Sequence, residues 1–209
     1  AFADGVDPFN YAINTSRVID AFNEDGSYYY YREGGFNYNI LKELANSGNE
    51  NTTKNLNVNL SARWRFTEDL TLNLTLGGGT SSNFAETWFT ERSNKITQIR
   101  NYEYGTKTVE DEEYQKSKLP FGGMLSTTEN RNFNYTARAQ FDYYKIFNNV
   151  HAVNVSAGVE ARSSKYDGIS QTAYGYMPDR GKAFAEVPKT WYGYDFSSGI
   201  FAEKDHPNP

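Results

Sequence analysis

A chain of 209 residues with no cysteine cannot hold a disulfide scaffold, a thiolate zinc site or a cysteine nucleophile. Its 21 Lys and Arg against 26 Asp and Glu leave a formal charge of −5, which gives no electrostatic basis for gripping nucleic-acid phosphates. Only 38% of residues are hydrophobic while 16% are aromatic, a balance that favours β-structure over a helical bundle or a disordered tail. Mean hydropathy is −0.76 and no stretch approaches the roughly 18 apolar residues of a membrane helix, although barrel strands escape that criterion because they alternate. The opening Ala-Phe-Ala-Asp carries neither the charged start nor the apolar core of a signal peptide.

In chain order, Arg17-Val18-Ile19 and Tyr28 to Arg32 flank Phe22-Asn23-Glu24-Asp25-Gly26, and the Asp-Gly pair predicts a small hairpin. Asn39 to Asn46 can form one or two helical turns with Asn39 as cap and Gly48 as stop; no other helix is required. From Asn55, residues Leu56, Val58, Leu60, Ala62, Trp64 and Phe66 alternate strictly with Asn57, Asn59, Ser61, Arg63 and Arg65. After Thr67-Glu68-Asp69 the alternation resumes with Leu70, Leu72, Leu74 and Leu76, so residues 55–76 read as a long hairpin with a tight turn. Residues 77–124 open with three glycines, hold the acidic run Glu110 to Glu113 and read as a long loop. A second long hairpin occupies 125–162: Phe133, Tyr135, Ala137, Ala139, Phe141 and Tyr143 alternate with polar residues, a turn falls at Asn148-Asn149, and Val153, Val155, Ala157, Val159 and Ala161 continue the pattern. Residues 163–209 read as another loop and an irregular end, as 1–54 do around the small hairpin.

Strands of ten or more residues with one apolar and one polar face suit tilted membrane-spanning strands, whose length is about 9–11 residues. Arg63, Arg65, Arg138, Gln140, Asp142, Glu160 and Arg162 would then line a wet lumen or meet whatever fills it. Trp64, Phe66, Phe141, Tyr143 and Phe147 gather near the two short turns, as expected of an interfacial girdle. The same alternation would equally serve a secreted or surface β-sandwich, its apolar face buried on a second sheet. Four long strands and a small hairpin cannot close a wide barrel, so the barrel alternative makes this chain part of a larger one.

Several phrases carry a family resemblance: Ala12-Ile13-Asn14-Thr15-Ser16-Arg17, Ala21-Phe22-Asn23-Glu24-Asp25-Gly26-Ser27, Tyr38 to Leu44, Asn134 to Tyr143, Ala157 to Arg162 and Tyr174 to Gly181. Their order resembles the middle of the barrel of SusC/RagA-like TonB-linked outer-membrane proteins (TonB-dependent receptors), over nearly the whole chain. The resemblance implies an all-β fold: an antiparallel transmembrane β-barrel segment with short periplasmic turns and long extracellular loops, within a 22-stranded barrel. It implies a Gram-negative outer-membrane importer of oligosaccharides, with peptides second, acting with a SusD-like surface lipoprotein and driven through TonB. The plug domain and TonB-contacting segment would lie outside this chain, which reads as a receptor fragment facing outer-membrane lipid.

No enzymatic activity, catalytic residue, cofactor or metal is expected. His151 and His206 are the only histidines and stand far apart, and Glu110 to Glu113 lacks the spaced ligands and glycine of a calcium loop, so it reads as a solvated charge run. Gly77-Gly78-Gly79 is followed by neither Lys-Ser/Thr nor a helix, which argues against a phosphate cradle. Trp88, Phe89, Tyr102, Tyr104, Tyr174, Tyr176, Trp191 and Tyr192 fall in the expected loops, where their rings could stack on sugars, touch the lipoprotein, or pack on one another.

Overall fold

The computed structural model describes residues 3, 5–16, 19–186, 190–195 and 200–205. The fold is mainly antiparallel β-sheet, 56% strand against 15% helix, and its sheets are not closed. Helix α1 (Pro8–Asn14) precedes a hairpin of β1 (Tyr31–Glu33) and β2 (Phe36–Tyr38), then α2 (Ile40–Ala45). Four long strands follow: β3 (Ser47–Arg65), β4 (Leu70–Phe89), β5 (Gly123–Phe147) and β6 (His151–Met177), with α3 (Asn94–Arg100) and α4 (Glu112–Gln115) between β4 and β5. A 3₁₀ turn (Pro178–Arg180) leads to β7 (Ala183–Phe184), and β8 (Thr190–Asp195) pairs with β9 (Ile200–Asp205). Strands β3-β4-β5-β6-β7 form one sheet in that order. The chain divides into two compact units: Ala1–Asn51, Ala85–Thr127 and Ser170–Pro209 make the first, Thr52–Phe84 and Thr128–Ile169 the second.

The second unit is built from the central stretches of the four long strands, where the period-two alternation expected from sequence holds. Both short turns fall where expected. Asn148 and Asn149 take φ of 53° and 55°, the left-handed pair that matches hairpin twist, and Val150 N donates to Phe147 O at 3.1 Å. At the other turn Leu70 N donates to Thr67 Oγ1 at 3.1 Å and Phe66 N to Leu70 O at 3.0 Å.

The first unit contains the hydrophobic core, made of Ala3, Val6, Tyr38, Ile40, Phe89, Ile96 and Leu119 with Tyr11, Leu44, Met124 and others packed around them. Here the structure departs from the sequence reading. The expected loops are shorter, because β4 runs through the three glycines to Phe89 and β6 runs past Arg162 to Met177. The glycines belong to the sheet for a steric reason: a Cβ at Gly77 would meet Asn59 Oδ1, and one at Gly79 would meet Asn57 Oδ1.

Three helices that the reading did not require also appear. Asp7 caps α1 by accepting from Phe9 and Asn10 N–H, with Pro8 opening the helix, while Ser93 Oγ accepts from Ile96 N to cap α3. The acidic run becomes the start of α4, where Glu113 pairs with Lys107 at 2.8 Å and Glu112 with Lys116. Helix α2 forms as expected behind Asn39, which accepts from Leu41 and Lys42 N–H, but it ends at Asn46 because β3 already begins at Ser47. The small hairpin survives only as a bridge between Phe22 and Tyr28 around Asp25-Gly26. Of its expected limbs, Arg17-Val18 lies outside the described residues, and Tyr31-Arg32 pairs instead with Asn37-Tyr38 across Gly34-Gly35. Both of those glycines have positive φ, which permits that tighter turn.

Candidate functional site

Two features could touch a ligand or partner: the polar face of the second unit and a cleft in the first. On the polar face, Asp142 is the hub. It accepts from Asn73 Nδ2 at 2.5 Å, Gln140 Nε2 at 2.8 Å and Ser156 Oγ at 2.6 Å. Arg63 Nε donates to Asn73 Oδ1 at 2.9 Å, and Arg138 donates to Gln140 Oε1 at 2.8 Å. Three of the six charged residues expected on one face (Arg63, Arg138 and Asp142) therefore belong to one network spanning four strands, together with Gln140, expected on the same face, and with Asn73 and Ser156 as links that the sequence did not single out. Glu160 and Arg162 pair at 2.7 Å two residues apart, as side chains on one face of a strand can. Arg65, at the end of β3, is exposed and stands outside this network. Arg138, Gln140, Ser156, Gly158 and Glu160 border a shallow depression on this face.

The opposite face is apolar and bare. Leu56, Val58, Leu60, Trp64, Leu76, Phe133, Val155 and Val159 are 50% to 70% exposed, and no buried hydrophobic side chain among the described residues lies in this unit. Trp64 stacks on Phe66 at 5.5 Å, and Phe66 on Phe141 at 6.4 Å, so rings cluster beside the short turns.

In the first unit the eight singled-out aromatics separate. Phe89, Tyr102 and Tyr176 are buried: Phe89 belongs to the core, Tyr102 donates to Pro120 O at 3.1 Å, and Tyr176 packs on Phe184 at 5.3 Å. Burial raises the Tyr102 hydroxyl to about 12, so it remains a neutral donor. Their rings are occupied by the protein itself, the mutual-packing alternative. Tyr174 packs against the core with Lys118 near its ring, and the Trp88 indole lies over Gly48, where a Cβ would collide with it. Trp191 and Tyr192 stand in β8, paired with Lys204 and Glu203. Tyr104 is 42% exposed, with the Arg92 guanidinium over its ring at 5.1 Å.

Two buried charges organise this unit. Arg100 donates to the carbonyls of Glu91 (3.0 Å), Leu119 (3.2 Å) and Gly122 (3.5 Å), and Ser117 Oγ donates back to Arg100 O at 2.9 Å. One side chain thereby ties together the two ends of the 90–122 connection. Glu43 is 2% exposed, and both its oxygens accept from Asn94 N, at 2.8 and 2.9 Å, at the start of α3. Burial pushes its carboxyl up to about 7, outweighing the Asn94 N–H and the Lys42 charge that favour ionisation. Neither buried group was legible as a site residue. Local sequence carries no signal for an Arg or Glu that tertiary packing has enclosed.

Thr90, Glu91, Arg92, Tyr104 and residues 176–180 surround a cleft of about 150 Å³ in this unit. Among the described residues no group of three or more His, Asp or Glu side chains could hold a metal ion. No helix of the described residues is long and apolar enough to cross a membrane, which leaves crossing by strands untouched. No protein-family model matches the chain, and no curated protein matches it.

Proposed function

We propose that this chain is a segment of the barrel of a SusC/RagA-like TonB-dependent importer in a Gram-negative outer membrane. Oligosaccharides are the leading cargo and peptides the second, taken up with a SusD-like surface lipoprotein and with TonB acting through parts outside this chain. The observation that carries the reading is the second unit's two-sided sheet, with a continuous bare apolar face against a hydrogen-bonded, charged one. In a barrel wall the first face meets hydrocarbon and the second a wet lumen or plug. A β-sandwich glycan-binding module would need a second sheet over Leu56, Val58, Val155 and Val159, and the exposure of those residues favours the barrel.

The test is to fractionate source cells and measure the mass of the native polypeptide carrying these peptides. A much longer chain in the outer membrane, co-purifying with a lipoprotein, is expected; a soluble product near 209 residues would refute the reading. In the full chain, Val155→Arg should impair membrane assembly by about 2–4 kcal/mol.

A further inference from the structure

The cleft bordered by Thr90 to Arg92, Tyr104 and residues 176–180 has two arginines in its lining. Arg92 and Arg180 both line it, and neither is ion-paired to a described residue. Arginine is suited to forked recognition of a carboxylate. The Tyr104 ring, 42% exposed, has the Arg92 guanidinium over it at 5.1 Å and that of Arg100 at 5.8 Å, so its contact with Arg92 positions that cation at the cleft. Glu91 and Asp179 add acceptors suited to sugar hydroxyls. The same two carboxylates oppose a doubly charged phosphate, whereas one carboxylate flanked by hydroxyls matches a lining of two cations and two anions.

The walls are held before any ligand arrives. Thr90 N donates to Asn46 O at 2.8 Å, and Thr90 Oγ1 is hydrogen-bonded to Asn46 Oδ1 at 2.8 Å. Gly122 N donates to Glu91 Oε2 at 3.2 Å, and buried Arg100 holds Glu91 O at 3.0 Å. On the other side Pro178 opens the 3₁₀ turn, and Gly181, at φ 70°, ends it. A site fixed in this way loses little further freedom on binding.

We propose that this cleft is a subsite for a uronate residue within an acidic oligosaccharide. The inference rests on the importer reading for its cargo class and narrows that class. Its test is calorimetric titration of the native full-length polypeptide in detergent. The probes are tetrasaccharides containing D-glucuronate or D-galacturonate, each beside its methyl ester.

At least one free acid should bind ten-fold or more tightly than its ester and weaken as salt rises from 50 to 300 mM. Arg180→Gln and Arg92→Gln should each abolish that preference. Equal binding of acid and ester, binding of neither, or a preference that survives both substitutions would overturn the subsite. The acid-to-ester comparison uses unaltered protein, so it stands whatever the variants do. Failure here in a protein located in the outer membrane sinks the subsite alone; a soluble location sinks the importer reading independently.

Discussion

Glu43→Gln isolates the cost of a buried carboxylate in the first unit. The native carboxyl is raised from 4.5 to about 7, chiefly by burial, while Asn94 N–H and Lys42 act in the opposite direction and Glu33 and Glu103 add to the rise. Because the folded value lies above the unfolded one, the folded state holds its proton more tightly. The contribution of Glu43 to stability is therefore greatest below pH 4.5, falls as pH rises toward 7, and is level above it. The whole change is about 3 kcal/mol.

Glutamine keeps an oxygen for Asn94 N but cannot ionise. The stability difference between wild type and variant should thus move by about 3 kcal/mol between pH 4 and pH 8, in favour of the variant at high pH. The measurement is hydrogen exchange of the amides of residues 94–97, expressed as protection factors in both proteins across that range. Subtracting one protein from the other removes the other carboxylates, which titrate alike in both. Parallel curves would refute the assignment of a buried, proton-binding Glu43.

Arg100→Met removes the donor to three backbone carbonyls, and should open the 101–118 segment to protease with a loss of about 3–5 kcal/mol; unchanged cleavage would count against its role as the tie. Gly26 and Gly122 both have positive φ, but a Cβ at Gly26 meets open space while one at Gly122 lies 2.6 Å from Gly175 backbone. Gly26→Ala should therefore cost about 1–2 kcal/mol and Gly122→Ala clearly more, an order that thermal melting reads directly. Asn149→Ile places a β-branched residue at φ 55° and should weaken the β5-β6 hairpin by at least about 1 kcal/mol, whereas Asn149→Gly should not; refolding into detergent micelles compares them.

How far the fold could be foreseen depended on whether its signal was local. The central strands were legible because period two is written into consecutive residues from Leu56 to Leu76 and from Phe133 to Ala161. Helix α2 was legible because Asn39 is a strong cap. The ends of β4 and β6 were not, since Gly77 to Gly79 is poor strand sequence and persists as strand only because Asn57 and Asn59 occupy the space its side chains would need. The core was illegible for a different reason. Ala3, Val6, Tyr38, Phe89, Ile96 and Leu119 are scattered over more than a hundred residues without periodicity, and only the folded connections bring them together. Burial of Phe89, Tyr102 and Tyr176 follows from that assembly, and it leaves Tyr104 the most exposed of the singled-out rings whose side chains are described.

The second unit poses the opposite problem, since its strands are regular but its apolar side chains are not covered. Fully burying one Leu, Val or Phe stabilises by about 1.5–3 kcal/mol. Leaving Leu56, Val58, Leu60, Trp64, Leu76, Phe133, Val155 and Val159 about half exposed therefore forfeits on the order of 10 kcal/mol, comparable with the whole net stability of an ordinary domain. Covering that face, by a second sheet or by hydrocarbon, would recover it. A second sheet would do so with its bulkiest rings anywhere along the strands. Hydrocarbon prefers aliphatic side chains at mid-depth and rings at the boundary, and Trp64, Phe66 and Phe141 stack beside the short turns while Ala137, Ala139, Val155 and Ala157 occupy the middle. The polar face limits the occupant of the other side in turn, because the Asp142 network is satisfied by its own neighbours and tolerates water but not lipid.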